Sequence, residues 1–137
     1  MLYNIVGQKD SINEAVKYVK SALKCEVIAI CDKSVNPIAD KSITNAGPCE
    51  FVQYVANAEY VISDSFHATA FSVIFNVPFA TFNKNINSSR ISDFLNDLNL
   101  QSRFNNVDLS PLSEESISVL HQKIKKSKDY LSKSLCY

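Results

Sequence analysis

Ser63, Asp64, Ser65 and His67 place two hydroxyls, a carboxylate and an imidazole together, between an apolar run that ends at Ser63 and another that begins at Ala68. A histidine with a near-neutral pKa takes a proton from an attacking hydroxyl or gives one to a leaving oxygen. If Ser65 caps the helix that follows, the first N–H groups of that helix face outward next to His67 and offer partial positive charge to an anion. Position alone suits equally well a structural histidine bonded to neighbouring backbone. Arginine is scarce: of fourteen Lys and Arg residues only Arg90 and Arg103 are arginine. In a lysine-rich chain these two suggest selection for the planar fork that grips carboxylate or phosphate. Arg90 follows Ser88 and Ser89 in a polar stretch and is the candidate clamp, the alternative being a surface residue at a helix start. Arg103, next to Phe104, reads as a packing or pairing residue. Glu50 either hydrogen-bonds a hydroxyl-rich ligand or compensates the dipole of its own helix, and Asp64 is open in the same way. His121, between Leu120 and Gln122, reads as solvated.

These side chains need a scaffold, and the apolar pattern supplies an alternating one. Leu2 to Val6 reads as a buried strand stopped by Gly7, and Ser11-Ile12-Asn13-Glu14 has the form of a capping box that opens a helix running to Lys24. Glu26 to Cys31 is a nearly continuous apolar strand, the pattern of parallel strands covered on both faces. Asp32 to Asn45 is a polar loop with room for a short strand near Ile43. Pro48 opens a helix with Phe51, Val52, Val55 and Ala56 on its apolar face, and Tyr60 to Ser63 is the next strand. Ala68 to Phe75 predicts a helix buried on most sides, closed by Asn76 and Pro78. Phe79 to Phe82 is a fourth strand, and Ile91, Phe94, Leu95 and Leu98 mark another helix. Ser110 as N-cap and Pro111 at the first position start the last helix, whose apolar side is Leu112, Ile117, Leu120, Ile124, Tyr130 and Leu131. Strand and helix in alternation imply a parallel sheet with right-handed crossovers, and the carboxyl edge of such a sheet is where ligands bind. The segments 45–50, 63–69 and 83–90 reach that edge.

The composition narrows the function classes. At 137 residues the chain fits one domain, and its 46% apolar and 20% charged residues suit a globular core. Fourteen acidic residues balance fourteen basic ones, so no global field draws it to nucleic acid or an anionic membrane. Gly7 and Gly47 are its two glycines, too few and too far apart for a dinucleotide fingerprint or a P-loop. Cys25, Cys31, Cys49 and Cys136 lack Cys-x-x-Cys spacing, which argues against zinc, and with no signal peptide they read as reduced thiols in the cytoplasm, packed as small apolar groups with Cys136 exposed near the end. No apolar run has the roughly 20 residues of a membrane-spanning helix.

Taken in order, Ala46-Gly47-Pro48-x-Glu50-Phe51, Asn57 through Ser72, Asn76-x-Pro78-Phe79 and Ser88-Ser89-Arg90-Ile91 resemble the C-terminal part of the polysaccharide pyruvyl transferase family, a likeness covering about residues 2–104. The resemblance implies a Rossmann-like α/β domain equivalent to the C-terminal half of a GT-B-like fold, with the active site in a cleft shared with an N-terminal domain. It implies transfer of a pyruvyl group from phosphoenolpyruvate to a sugar of a bacterial surface polysaccharide, as a ketal. No further cofactor or metal is expected, and a lipid-linked acceptor would bring the cytoplasmic enzyme to the inner membrane. His67 matches the histidine proposed as the family's acid/base. Its neighbours Ser65 and Ala68 would line the donor pocket, Thr69, Gly47, Glu50 and Ser89 complete the expected substrate-binding set, and Arg90 is the candidate clamp for phosphate or carboxylate on the strength of its own chemistry. The chain departs from the family pattern at Ala68, where many relatives have glycine, and at Ser65, where some have arginine. As half of a cleft, the chain alone is expected not to turn over. Two other readings stand beside this one: the donor half of a nucleotide-sugar glycosyltransferase, and a non-catalytic flavodoxin-like module.

Overall fold

The computed structural model describes residues 2–4, 10–30, 37–82 and 89–135. Its strands are β1 (Leu2–Asn4), β2 (Ile28–Ile30), β3 (Lys41–Ile43), β4 (Val61–Ser63) and β5 (Phe79–Thr81). Its α-helices are α1 (Asp10–Leu23), α2 (Pro48–Ala56), α3 (Phe66–Ile74), α4 (Ser89–Asp97) and α5 (Glu114–Leu135), with a 3-10 turn at Gln101–Arg103. All strand pairings are parallel and the order is β3-β2-β1-β4-β5, the Rossmann-like order in which the chain winds outward from a central β1 in both directions. The short strand near Ile43 is real and forms the edge of the sheet.

Successive strand residues face opposite layers. Ala29, Ile62 and Ala80 join Ile12, Ala15, Val16 and Val19 of α1 in one core. Ile28, Ile30, Val61 and Phe79 face the other, with Val55, Ala68, Val73, Ile91, Leu95 and Leu112. Two apolar layers around one sheet explain why its strands read as continuous apolar runs. Asp40 secures the outer strands: its carboxylate accepts the Val27 N–H at 2.8 Å and the Lys20 ammonium of α1 at 2.7 Å.

The helix ends show where local signals mislead. Ser11 lies inside α1, which has already begun at Asp10, so it is not the cap. α3 starts at Phe66 rather than Ala68, and its buried face includes Thr69 and Ser72 while Ile74 and Phe75 are exposed. The Ser72 hydroxyl satisfies itself on the Ala68 carbonyl at 2.8 Å. With few glycines available, left-handed positions fall to Lys24, Asn76, Asn99 and Asn105. At Asn76 the turn closes α3 through Val77 N–H to Ser72 O and Asn76 N–H to Val73 O, a Schellman arrangement repeated at Asn99.

The largest correction concerns the last helix. α5 starts at Glu114, where the Ser113 hydroxyl accepts the Ser116 N–H at 3.2 Å, and not at Ser110-Pro111. Arg103 is the reason. Only 2% exposed, its guanidinium donates to the carbonyls of Asp108 at 2.9 Å, Ser110 at 2.7 Å, Pro111 at 3.0 Å and Phe79 of β5 at 3.3 Å, and lies over the Phe79 ring. Residues 108–111 are thereby held in a shell around the cation. Tyr60 also donates to the Asp108 carbonyl, at 3.0 Å. Along α5, Ser116, Ile117 and Leu120 pack inward, whereas Ile124, Tyr130 and Leu131 are exposed. No helix among the described residues is long and apolar enough to cross a membrane.

Replacing Arg103 with methionine removes the guanidinium donor from all four carbonyls and leaves that of Asp108 to Tyr60 alone, and unfolding free energy measured by urea denaturation should fall by about 3 kcal/mol or more. The pH profile has two limbs. The Lys20 ammonium and the Val27 N–H hold Asp40 below the ordinary aspartate value, and the Ser110 hydroxyl and N–H do the same for Asp108. Both contributions are present above the unfolded value of 3.8 and are lost as pH falls through the lower folded values. Burial pushes Tyr60 up to about 12 from 10.0, so its contribution fades as pH rises across that interval. Denaturation midpoints measured against pH should fall at both ends, and Asp108→Asn should flatten the acid limb.

Candidate active site

β4 ends at Ser63, and the chain turns into α3 within two residues. The Ser63 hydroxyl accepts the Ser65 N–H at 3.0 Å and shapes that turn. Ser65 occupies the N-cap position with extended backbone, but its hydroxyl makes no capping bond, so the expected side-chain cap is absent and the hydroxyl is not spent on the helix. The N–H groups of Phe66, His67 and Ala68 precede the first intrahelical acceptor and carry the positive end of the helix dipole.

His67 is exposed on the first turn of α3. It lines a cavity of about 440 Å³ at the carboxyl ends of β2 and β4, the strands that flank β1 where the winding direction reverses. Ser65 and Gly47 line the same cavity, with Ile30, Ala46, Pro48, Phe51, Val52 and Phe71. Gly47 is the N-cap of α2 in ordinary extended backbone, and a Cβ there would meet only the Glu50 carboxylate, at 3.6 Å. Glycine is therefore not required by the fold at this position.

Phe66 links His67 to Arg90. Its ring meets the imidazole edge-on at 6.1 Å between centroids, and the Arg90 guanidinium sits 5.9 Å from the same ring centroid. Phe94 of α4 backs the ring from 5.4 Å. The candidate base and the candidate clamp, distant in sequence, thus share one aromatic neighbour.

Residues 4–85 match the sequence profile of polysaccharide pyruvyl transferases, over half of the chain. The chain belongs to this family. The matched segment contains His67 and the cavity-lining residues, while Ser89 and Arg90 lie beyond it. No curated protein matches the chain. Among solved structures, a mutant O-GlcNAc transferase from Thermobaculum terrenum is similar in fold, with a TM-score of 0.54 over 86% of this chain and 10% sequence identity. This chain covers 27% of that one.

The other expected site residues of this family member sit apart from the cavity. Ala68 and Thr69 are buried. The Thr69 hydroxyl donates to the Ser65 carbonyl and hydrogen-bonds the Thr81 hydroxyl of β5, both at 3.0 Å, so it fastens the turn beneath His67. Glu50 is exposed and accepts the Gly47 N–H at 2.8 Å, closing the start of its own helix. Ser89 is exposed at the start of α4, its carbonyl taken by the Ser92 hydroxyl. Asp64 is buried and has a bonding partner. Cys25 is half-buried, but Cys49 is exposed on α2 rather than packed inside. Cys31, Cys136, Gly7 and Ser88 lie outside the described residues. Sequence reasoning missed Phe66, and the signal was available: an aromatic directly preceding the histidine, with Phe94 in the helix that carries Arg90.

Thr69→Val removes the hydroxyl that joins α3 to β5 and should cost about 1–2 kcal/mol in thermal or urea unfolding. The histidine resonance of His67 in NMR spectra should shift along with it, although residue 69 does not line the cavity.

Proposed function

We propose that this chain is the C-terminal, donor-side half of a two-domain enzyme that transfers pyruvate from phosphoenolpyruvate to two hydroxyls of a saccharide as a cyclic ketal. The observation that carries the reading is His67 itself: exposed at a helix N-terminus, lining the cleft, and joined through Phe66 to Arg90. Family membership supports the transferase class, the donor and acceptor are those the family resemblance implies, and the chemistry of these groups is compatible with them.

The donor carries a phosphate and a carboxylate, and the Arg90 fork and the free N–H groups of the first turn of α3 bind such anions. In the reaction two C–O bonds form at the donor's C2, while its C2–O bond to phosphate and its C=C π bond break. Of the two hydrogens leaving the acceptor hydroxyls, one ends on C3 as part of a methyl group and the other on the released phosphate. His67 carries protons between these sites, taking one from an attacking hydroxyl and delivering one to the departing side. A second domain would close the cleft and exclude water, and a cytoplasmic setting belongs to the same reading, at the inner membrane if the acceptor is lipid-linked.

The test is phosphate release from phosphoenolpyruvate in the presence of saccharide acceptors, using the natural full-length protein. His67→Asn should lower kcat by roughly a hundredfold or more, the usual worth of a positioned acid/base. Arg90→Lys should raise KM for phosphoenolpyruvate about tenfold, because a single ammonium replaces a two-pronged contact. Residues 1–137 alone should bind the donor without turnover. Full activity in His67→Asn, or binding of UDP- or GDP-sugars in place of phosphoenolpyruvate, would overturn the reading.

A further inference from the structure

Residues 121–134 of α5 are all exposed. At 1.5 Å per residue they span about 21 Å, close to four turns of helix. Helices in proteins owe most of their stability to packing of an amphipathic face, so a stretch this long without cover among the described residues has a face left to bury. The apolar stripe shows which face that is. Ile117 and Leu120 pack on the core around Leu95 and Leu98, and the seven-residue step from Ile117 continues to Ile124 and Leu131. These last two are 38% and 55% exposed. They line a groove of about 300 Å³ beside Phe94 and Leu98, with Lys123 and Lys128 along it and Asp97 already paired to Lys123 at 2.7 Å.

The zero net charge of the chain conceals a segregation. Five of its fourteen basic residues, Lys123, Lys125, Lys126, Lys128 and Lys133, follow residue 120, against one acidic residue, Asp129. Residues 1–120 hold nine basic and thirteen acidic side chains. The balance that removes a global field therefore leaves a basic helix at one end of the molecule.

We propose that the distal half of α5 is a membrane-surface helix that lies on a bilayer containing anionic phospholipid. The Ile124–Leu131 stripe enters the boundary between headgroups and acyl chains, while Lys123 on one flank and Lys125 and Lys128 on the other meet lipid phosphates. Basic amphipathic helices are held on membranes by these two terms together. Tyr130, 72% exposed and one step round the helix from Leu131, suits the headgroup level, where an aromatic ring with a hydroxyl is favoured. Charge decides against a second copy as the occupant of this face, because pairing two such helices would bring lysines against lysines, whereas an anionic surface turns the same charge into attraction. Attachment through α5 depends neither on the reaction assigned to His67 nor on a lipid-linked acceptor.

The experiment is flotation of the full chain with vesicles of phosphatidylglycerol and phosphatidylcholine, and with phosphatidylcholine alone, at low and high salt. The chain should float with the anionic vesicles, stay behind with the neutral ones, and be released by salt. Because the chain has no tryptophan, Tyr130→Trp reports on the helix itself, and its fluorescence should shift to the blue on anionic vesicles. Lys125→Glu combined with Lys128→Glu should weaken partitioning about tenfold or more. Leu131→Ser, which changes no charge at an exposed position, should weaken it as well and guards against a lysine variant that merely misfolds. No flotation, equal flotation with neutral vesicles, or flotation unchanged in these variants would overturn the proposal. So would a dimer that Leu131→Ser dissolves, which assigns the stripe to a second copy, or a natural full-length protein that fails to float where residues 1–137 do, which assigns it to another part of the protein.

Discussion

A buried guanidinium with no carboxylate in hydrogen-bonding contact among the described residues is the constraint around which the C-terminal third is arranged. The Asp108 carboxylate stands 3.9 Å away, so backbone carbonyls do most of the work of replacing water around Arg103. A cation stripped of water is costly unless its hydrogens are satisfied, and four carbonyls from two separate stretches of chain supply that satisfaction. One of them belongs to Phe79 at the start of β5, so the cation ties the sheet to the segment that leads into α5. Tyr60 adds a second tie to the same Asp108 carbonyl, from the residue preceding β4. The strand ends that carry the site, at Ser63 and Thr81, are therefore fixed from the side opposite the cleft.

A second clamp acts nearer the chemistry. The Thr69–Thr81 hydroxyl pair joins α3 to β5 in a fully buried position, and the Ser65 carbonyl accepts from both the N–H and the hydroxyl of Thr69. The turn that presents His67 is thus built on polar bonds within an apolar layer. Such bonds are directional, as burial of hydrocarbon alone is not, and direction is what an acid/base residue at a cleft needs.

Much of this was legible in the amino-acid order because the relevant signals are local and periodic. Continuous apolar runs identified the central strands, Pro48 marked the start of α2, and the Ser63–Thr69 cluster pointed to the sheet edge where the cavity lies. Arg103 read correctly as structural from its place beside Phe104. The start of α5 was misread because Ser110-Pro111 is locally an excellent helix start, and only a tertiary demand, the carbonyls required by Arg103, keeps that stretch non-helical. Thr69 looked like a ligand contact for a related reason: a hydroxyl near a histidine is equally apt for a ligand or for a neighbouring strand, and which one it meets depends on β5, ten residues on in the chain. The pairing of His67 with Arg90 across Phe66 was likewise beyond any local pattern, since it depends on how α4 packs on α3.

The strand order carries a further consequence, for the order of folding. β1, the central strand, pairs with β2 on one side and with β4 on the other, so the two outer pairs β3-β2 and β4-β5 have no contact within the sheet except through it. Among the described strands no hairpin nucleates the sheet, and the β1–β2, β1–β4 and β4–β5 pairings each wait for at least one helix to be crossed. Loop closure then precedes any gain from strand pairing, which places this domain among the slower folders for its size. While β1 is unpaired, the apolar strands on either side expose their edges to other chains, and the interval before it docks is when association between nascent copies competes most strongly with folding.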